Sequence, residues 1–570
     1  MATMDEVRAE LTGPGGAFEV VTDTIGGRTM KVYKDRLPNL RSVAEISIGR
    51  GDSDPFLVYG GRRIGFTEFL SSANSVSHTL AERGVTKGDR VAVLSANNPE
   101  WCQTFWGTVD MGAVLVGLNG WWKTEEIVYG LHDSGAKVLV ADRRRYERIA
   151  EHLDELPELE AIFLADADPS DFPDDGRLHR FDDLTQAPTD RFPHVTIDEL
   201  DPAVIFYTSG TTGKPKGAIS SHMGMVANLQ NTMFNAIAGA MAGGGGALPG
   251  GDGQNVSLFT SPLFHVSGCH STLVVGLLAG LRLVMLDSKF EPDKALQLIE
   301  DEGVKIWATV PTMVWRVCEY PGRYDYDTSS VESVAFGGSP SADELIRKVR
   351  DTFPNVKITS NAYGLTESSS VATVLSGPDA DRKPDSVGPP MPVVDLKITD
   401  EAGNALPTGE TGEVCIAGPI VMPGYWNKPE ATAQTIRDGW LHTGDVGHID
   451  DEGYLFITDR KKDMIIRGGE NVYCVEIEQR LVDHPDIADA AVIGVPHHQL
   501  GEEVKAVIQV EPGREVTEGQ VQAWVAETLA NFKVPAYVEI RTENLPRNAS
   551  GKLLKNALRG TGEVSFTETM

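Results

Sequence analysis

Short apolar, β-branched runs alternate with amphipathic stretches along most of the chain. Arg90 to Leu94, Ala113 to Leu118, Lys137 to Ala141 and Ala203 to Thr208 are near-continuous apolar runs, the pattern of buried strands. Ile64 to Arg83 and Asp293 to Gly303 repeat apolar residues at helical spacing, and Gly303 closes the second. Strand and helix in turn predict an α/β fold with largely parallel sheets. Toward the end, Ala488 to Val495, Glu503 to Val510 and Tyr537 to Arg541 predict strands, with a helix over Thr517 to Leu529. They form a compact α+β unit of about 110 residues, within the usual domain range.

Three stretches interrupt this rhythm. Asp166 to Asp183 holds seven aspartates among prolines and a glycine, the composition of a solvated surface loop. Gly239 to Gly253 is glycine-dense and reads as a flexible excursion. Asp459-Arg-Lys-Lys-Asp463 is polar and lies where a linker to the last unit belongs. The longest apolar run, Leu273 to Leu281, is far short of the ~20 residues of a spanning helix and reads as core.

Composition narrows the choice. At ~100–200 residues per domain, a chain this long holds two to four. Its 570 residues carry a formal charge of −31, without the diffuse positive field that nucleic-acid binding uses. The first ten residues carry acids and no apolar segment, unlike a secretory signal. Five scattered cysteines with no CxxC read as buried thiols in a reducing cytoplasm. The expectation is a cytoplasmic enzyme with no integral membrane segment.

The strongest chemical signal is Thr208-Ser-Gly-Thr-Thr-Gly-Lys-Pro-Lys-Gly217, placed directly after a strand-like run. Gly210, Gly213 and Gly217 permit tight turns. The hydroxyls of Thr208, Ser209, Thr211 and Thr212, with exposed N–H groups, can ring phosphate oxygens, and Lys214 and Lys216 add charge. It is not a Walker A loop, because only two residues separate Gly210 from Gly213-Lys214 and Pro215 follows.

This loop resembles the signature of the adenylate-forming superfamily, which includes acyl-CoA synthetases, peptide-synthetase adenylation domains and beetle luciferases. The resemblance continues in the family's order. Pro262-Leu-Phe-His265 is similar to its second core motif, and Phe336-Gly-Gly-Ser-Pro340 to the glycine turn beside the acyl pocket. Tyr363-Gly-Leu-Thr-Glu367 and Gly439-Trp-Leu-His-Thr-Gly-Asp445 resemble the nucleotide motifs, and Asp459 to Asp463 the hinge motif. Gly468-Gly-Glu-Asn-Val472 and Pro546-Arg-Asn-Ala-Ser-Gly-Lys552 complete the set, which spans roughly residues 50 to 558. Alone, Asp445 reads as a turn residue, Glu367 as a solvated acid and Tyr363 as a core aromatic; the ordered set changes that reading.

The resemblance implies an α/β fold: a large multi-subdomain N-terminal domain, 1–460, and a small mobile α+β C-terminal domain, 461–570, with the active site at their interface. It implies that a carboxylate attacks the α-phosphate of ATP, giving an acyl-adenylate and pyrophosphate, before transfer to coenzyme A. Charge then accumulates on phosphoryl oxygens, so cations, N–H donors and alignment are what the reaction needs. Thr208 to Gly213, Lys214 and Lys216 are expected around the β- and γ-phosphates, with Thr208 and Glu367 at Mg2+. Tyr363 is expected to stack on adenine, with Gly337, Gly338, Ser339 and Asn361 lining the base and Gly364 and Thr366 in the same set. Asp445 is expected at the ribose, joined by Arg460. Lys552 lies between carboxylate and α-phosphate in this reading, and His265 joins Lys552, Thr208 and Glu367 as catalytic candidates. Lys462 is the expected hinge, and Gly468 and Gly469 line a pantetheine tunnel. A zinc site at His265, Cys269 and His270 lacks a fourth ligand at finger-like spacing.

The second core motif has no aspartate to pair a substrate ammonium, which argues against amino acids. A pocket drawn from Ser261 to Gly276, Trp307 to Trp315 and Phe336 to Ser341 is largely apolar and favours a hydrophobic monocarboxylate, a medium- or long-chain fatty acid first. Aryl and steroid side-chain acids, delivery to a carrier protein, a luciferase-like oxygenase and a non-catalytic sensor stay open, as does a homodimer. Cys474 stands where many relatives have proline, and residues 1 to 45 match no motif.

Overall fold

The computed structural model describes residues 3–208, 214–242, 253–337, 343–460, 463–467, 470–498, 500–547 and 553–560. Two large, largely parallel sheets form the body. The first has seven strands in the order 216–221, 202–208, 114–117, 90–94, 138–141, 161–164 and 178–180, and only its first pair is antiparallel. The second has eight, running 370–376, 358–365, 333–337, 306–309, 256–259, 282–285, 55–59 and 62–65, with antiparallel pairs at the two edges. The central strands, 114–117, 138–141 and 161–164 among them, are apolar on both faces because both faces are covered. Phe66–Glu82 and Pro99–Asp110 lie between the sheets, where Phe69, Trp101, Phe105 and Trp106 are fully buried with Leu57 and Val93 from the two sheets. Asn98 starts the second of these helices by accepting from the Trp101 amide at 2.7 Å, and Pro99 follows it.

A third sheet, antiparallel, is built from 395–399, 412–417, 436–437, 440–449 and 455–460. The fourth large unit begins after it: strands 465–467, 470–472, 487–497, 501–510 and 537–541, with helices Cys474–Val482 and Glu518–Ala526. The chain is thus a large α/β body with a small α+β C-terminal domain.

Several expectations need correcting. The helix predicted from Ile64 starts at Phe66, because Ile64 pairs with Leu57 in a strand and Gly65 caps the helix. The aspartate-rich stretch is not all loop: Leu178–Arg180 adds an edge strand, and Arg143, Arg177 and Arg180 pair with Asp171, Asp175 and Asp168. The glycine-dense segment begins as helix, since His222–Met241 runs through Gly239; 243–252 lie outside the described residues. The antiparallel third sheet has no counterpart in the predicted elements. Residues 3–45 fold onto the body: helix Met4–Thr12 and the hairpin 20–33 bury Val7, Leu11, Phe18 and Tyr33 against Phe234 and Ala238. All five cysteines are buried free thiols, and no described helix is long and apolar enough to cross a membrane.

Candidate active site

The hairpin of 202–208 and 216–221 closes with Thr208 opposite Lys216, and Thr208 Oγ1 donates to the Lys216 carbonyl at 3.4 Å. Ser209 to Gly213 lie outside the described residues. The base of the loop is stapled from beside the sheet. Tyr129 donates to the Pro215 carbonyl at 3.0 Å, and the Lys214 ammonium lies 4.8 Å from the Tyr129 ring. Tyr207 donates to Asp133 at 3.0 Å, and Lys428 pairs with the other Asp133 oxygen at 2.5 Å. Burial and the Asp133 charge push the Tyr207 hydroxyl well above its ordinary pKa, so it remains a donor.

Glu367 sits on a strained turn. A Cβ on Gly364 would lie 1.6 Å from the Ser370 carbonyl oxygen, so only glycine lets the two strands approach there. Ser369 and Ser370 have φ of 49° and 108°, values that non-glycine residues rarely adopt. The turn is held from several sides: Ser368 Oγ donates to carbonyls, the Val371 amide donates to Asn228 at 3.1 Å, and His270 Nδ1 donates to the Ser369 carbonyl at 3.2 Å. Glu367 Oε1 accepts from Tyr425 at 2.8 Å.

The nucleotide motifs meet on neighbouring strands. Tyr363 donates to Asp445 Oδ2 at 2.7 Å, joining the two residues that sequence assigned to adenine and ribose. Asp445 is buried, and its amide donates to Thr443 at 3.0 Å. Glu413 fixes the preceding turn, accepting from the Gly444 amide at 3.2 Å and from His442 at 3.3 Å. Arg460 stands opposite Asp445 in register. Asn361 lies beside Phe336, and Gly337 beside Ala362, on adjacent parallel strands. Thr366 opens the turn that carries Glu367, its carbonyl accepting from the Ser369 amide at 3.1 Å.

His265 is half-buried at the start of a helix whose next turn, Cys269–Val274, is π-helical, a local form common near functional sites. Its Nδ1 lies 3.4 Å from Ser267 Oγ. Cys269 and His270 are buried, and no group of three or more His, Cys, Asp or Glu able to hold a metal occurs among the described residues. Trp307 is fully buried, its indole N–H bonded to Thr260 at 3.0 Å and its ring packed on Phe290 and Phe353. Gly338, Ser339, Lys462, Gly468, Gly469 and Lys552 lie outside the described residues. Near the hinge the Cys474 amide donates to Asp459 and its sulfur to the Asp463 carbonyl, the first a bond that proline could not make.

Tyr129, Asp133, Tyr425 and Lys428 escaped sequence reasoning. Their types are ordinary, and only the fold brings them to the loop.

Known proteins place the chain in one class. The AMP-binding enzyme family matches residues 46–426, and the AMP-binding enzyme C-terminal domain matches residues 476–552. The chain belongs to the AMP-binding, adenylate-forming superfamily. A feruloyl-CoA synthase from Amycolatopsis sp. is 34% identical over 502 residues, covering 88% of this chain and 94% of that protein. The long-chain-fatty-acid–CoA ligase FadD13 of Mycobacterium tuberculosis H37Rv is 35% identical over 87% of this chain and 93% of its own. The crystal structure of ATP-bound MatB from Rhodopseudomonas palustris superposes with a TM-score of 0.79 at 31% identity, covering 92% and 99% of the two chains. The branch follows from these relatives: an ATP-dependent, AMP-forming acid–thiol ligase, an acyl-CoA synthetase.

Proposed function

We propose that this ligase activates a hydrophobic monocarboxylic acid, a medium- or long-chain fatty acid first, and transfers it to coenzyme A. The observation that carries the adenylation step of this reading is the convergence of three features: the Thr208–Lys216 hairpin end, the Tyr425-bound Glu367 and the Tyr363–Asp445 pair. ATP lies across them with its phosphates at the hairpin and its ribose at Asp445. Asp445 accepts from the ribose hydroxyls in place of Tyr363, whose ring then packs on adenine. Lys214 and Lys216 meet the phosphates, where charge builds as pyrophosphate leaves.

Magnesium fits the oxygen donors Thr208 and Glu367. Glu367 has one oxygen bonded to Tyr425 and a second to offer, and no described carboxylate cage competes for the ion. Such a sparse donor set suits an ion that keeps waters and phosphate oxygens as ligands. When bound, it neutralises phosphate charge and fixes the phosphates for in-line attack.

Lys552 brings a cation between carboxylate and α-phosphate, where it stabilises the transition state more than the ground state. The C-terminal domain, 461–570, then turns about Lys462, withdrawing Lys552 and setting Gly468 and Gly469 along the thiol's path. His265 borders that path. Mass spectrometry of products from Mg-ATP, coenzyme A and a mixed pool of fatty, aryl and steroid acids tests this reading. A fatty acyl-CoA supports it, and an aryl or steroid thioester alone overturns the fatty-acid assignment. Acyl-adenylate without thioester overturns the acceptor.

A further inference from the structure

The segment Gly424-Tyr-Trp-Asn-Lys428 belongs to none of the motifs that carry the resemblance, yet it borders the phosphate side of the cleft throughout. The Trp426 amide donates to the Gly217 carbonyl at 2.7 Å, and the Ile219 amide to the Gly424 carbonyl at 3.1 Å, so it runs as an added edge beside strand 216–221. From that edge Tyr425 reaches two ways. Its hydroxyl donates to Glu367 Oε1 at 2.8 Å, and its ring lies 5.1 Å from the Lys216 ammonium. Its own amide donates to Thr432 Oγ1 at 2.9 Å, which fixes the backbone beneath the ring. Three residues on, Lys428 ties the same segment to Asp133 and, through it, to Tyr207 beside Thr208.

We propose that Tyr425 is a positioning residue for adenylation, holding the Glu367 carboxylate and the Lys216 ammonium in fixed relation to each other. The proposal rests on the reading of Glu367 and Lys216 given above. An unrestrained lysine and glutamate on facing elements would pair with each other and cancel. A phenol between them prevents this: it binds one carboxylate oxygen, leaves the other open, and holds the ammonium by its ring face without neutralising it.

Tyr425→Phe keeps the ring and its lysine contact and removes only the hydroxyl; Tyr425→Leu removes both. Acid-dependent pyrophosphate–ATP exchange is measured while MgCl2 is titrated, beside thioester formation from supplied acyl-adenylate and coenzyme A. Tyr425→Phe is expected to slow exchange about 10- to 100-fold, the range for a lost hydrogen bond to a charged group, with the KM for the acid unchanged and more Mg2+ required. Tyr425→Leu is expected to slow it further. Both variants are expected to convert supplied acyl-adenylate at the parent rate. Equal losses in both half-reactions overturn the proposal, since they mark a general structural defect. Unchanged exchange in Tyr425→Phe, with Glu367→Gln inactive, overturns it alone. Unchanged exchange in Glu367→Gln overturns the underlying assignment of Glu367 and the proposal with it.

Discussion

Acid is expected to loosen this protein through two buried histidines that frame the active site. His222 opens the long helix behind the hairpin, and His270 supports the Glu367 turn. Their tautomers are opposite. His222 Nδ1 accepts from the Leu40 amide at 3.2 Å, so protonation there breaks that bond. His270 Nδ1 donates to Ser369, so a second proton must go to Nε2, which has no protein partner. His222 faces Arg41, Lys87 and Asp201, while His270 faces His265 and stacks on Phe206. Burial pushes both imidazoles down from 6.5 to about 3. The unfolded chain therefore takes up protons below about pH 6.5 where the folded chain does not, and stability present above that pH is lost as pH falls toward 3. At about 1.4 kcal/mol per pH unit, each histidine removes about 2 kcal/mol between pH 6.5 and 5, and the pair about 4 kcal/mol. That is a large part of the ~5–15 kcal/mol a domain holds. Denaturant unfolding between pH 7 and 5 is the assay, comparing the parent with His222→Asn/His270→Asn, whose amides occupy the Nδ1 positions. The double variant is expected to lose about 4 kcal/mol less over that range, whatever its stability at pH 7. Parallel pH dependence in the two proteins would falsify the reasoning.

Four further substitutions address the site directly. Lys552→Ala is expected to remove most adenylation while supplied acyl-adenylate is still converted to thioester; survival of both half-reactions refutes its assignment. Asp445→Ala is expected to raise the KM for ATP about 10- to 100-fold with the KM for the acid unchanged, and Tyr363→Phe to have a smaller effect, as read from exchange kinetics. Gly364→Ala forces a Cβ onto the Ser370 carbonyl, so a loss of about 1–3 kcal/mol in denaturant unfolding and a disproportionate loss of adenylation are expected.

The legible parts of the fold are those where local pattern and burial agree. Strands 90–94, 138–141 and 202–208 are apolar on both faces because both are covered, and their runs say so. The helix ending at Gly303 is equally plain, its glycine adopting a φ of 62°. Where pattern and context part, the reading slips. Ile64 and Gly65 suit the first turn of a helix, but pairing with Pro55–Tyr59 takes them into a strand. The third sheet escapes because its apolar runs are brief: 412–417 fully buries only Val414, Cys415 and Ile416, and 395–399 interleaves Asp395 and Lys397 with its apolar residues.

The site divides along the same line. Thr208, Lys216, Glu367, Tyr363 and Asp445 announce themselves because each sits in a run whose glycines and hydroxyls are unusual for ordinary packing. The residues that aim them do not. Asp133 is one acid on an exposed helix pattern, Tyr425 one aromatic among many, and His270 a histidine in an apolar stretch that reads as core. Each acts across a gap in sequence: Tyr425 reaches Glu367 over 58 residues, and Lys428 reaches Asp133 over 295. A motif records the groups that meet the substrate, whereas the supports depend on which strand edge or helix face lies alongside. Strain makes that dependence functional. The Ser369–Ser370 turn is costly by itself, and Asn228 and His270 bond its backbone while Tyr425 bonds the Glu367 side chain it carries. The placement of Glu367 is therefore a property of the packed body rather than of the motif that names it.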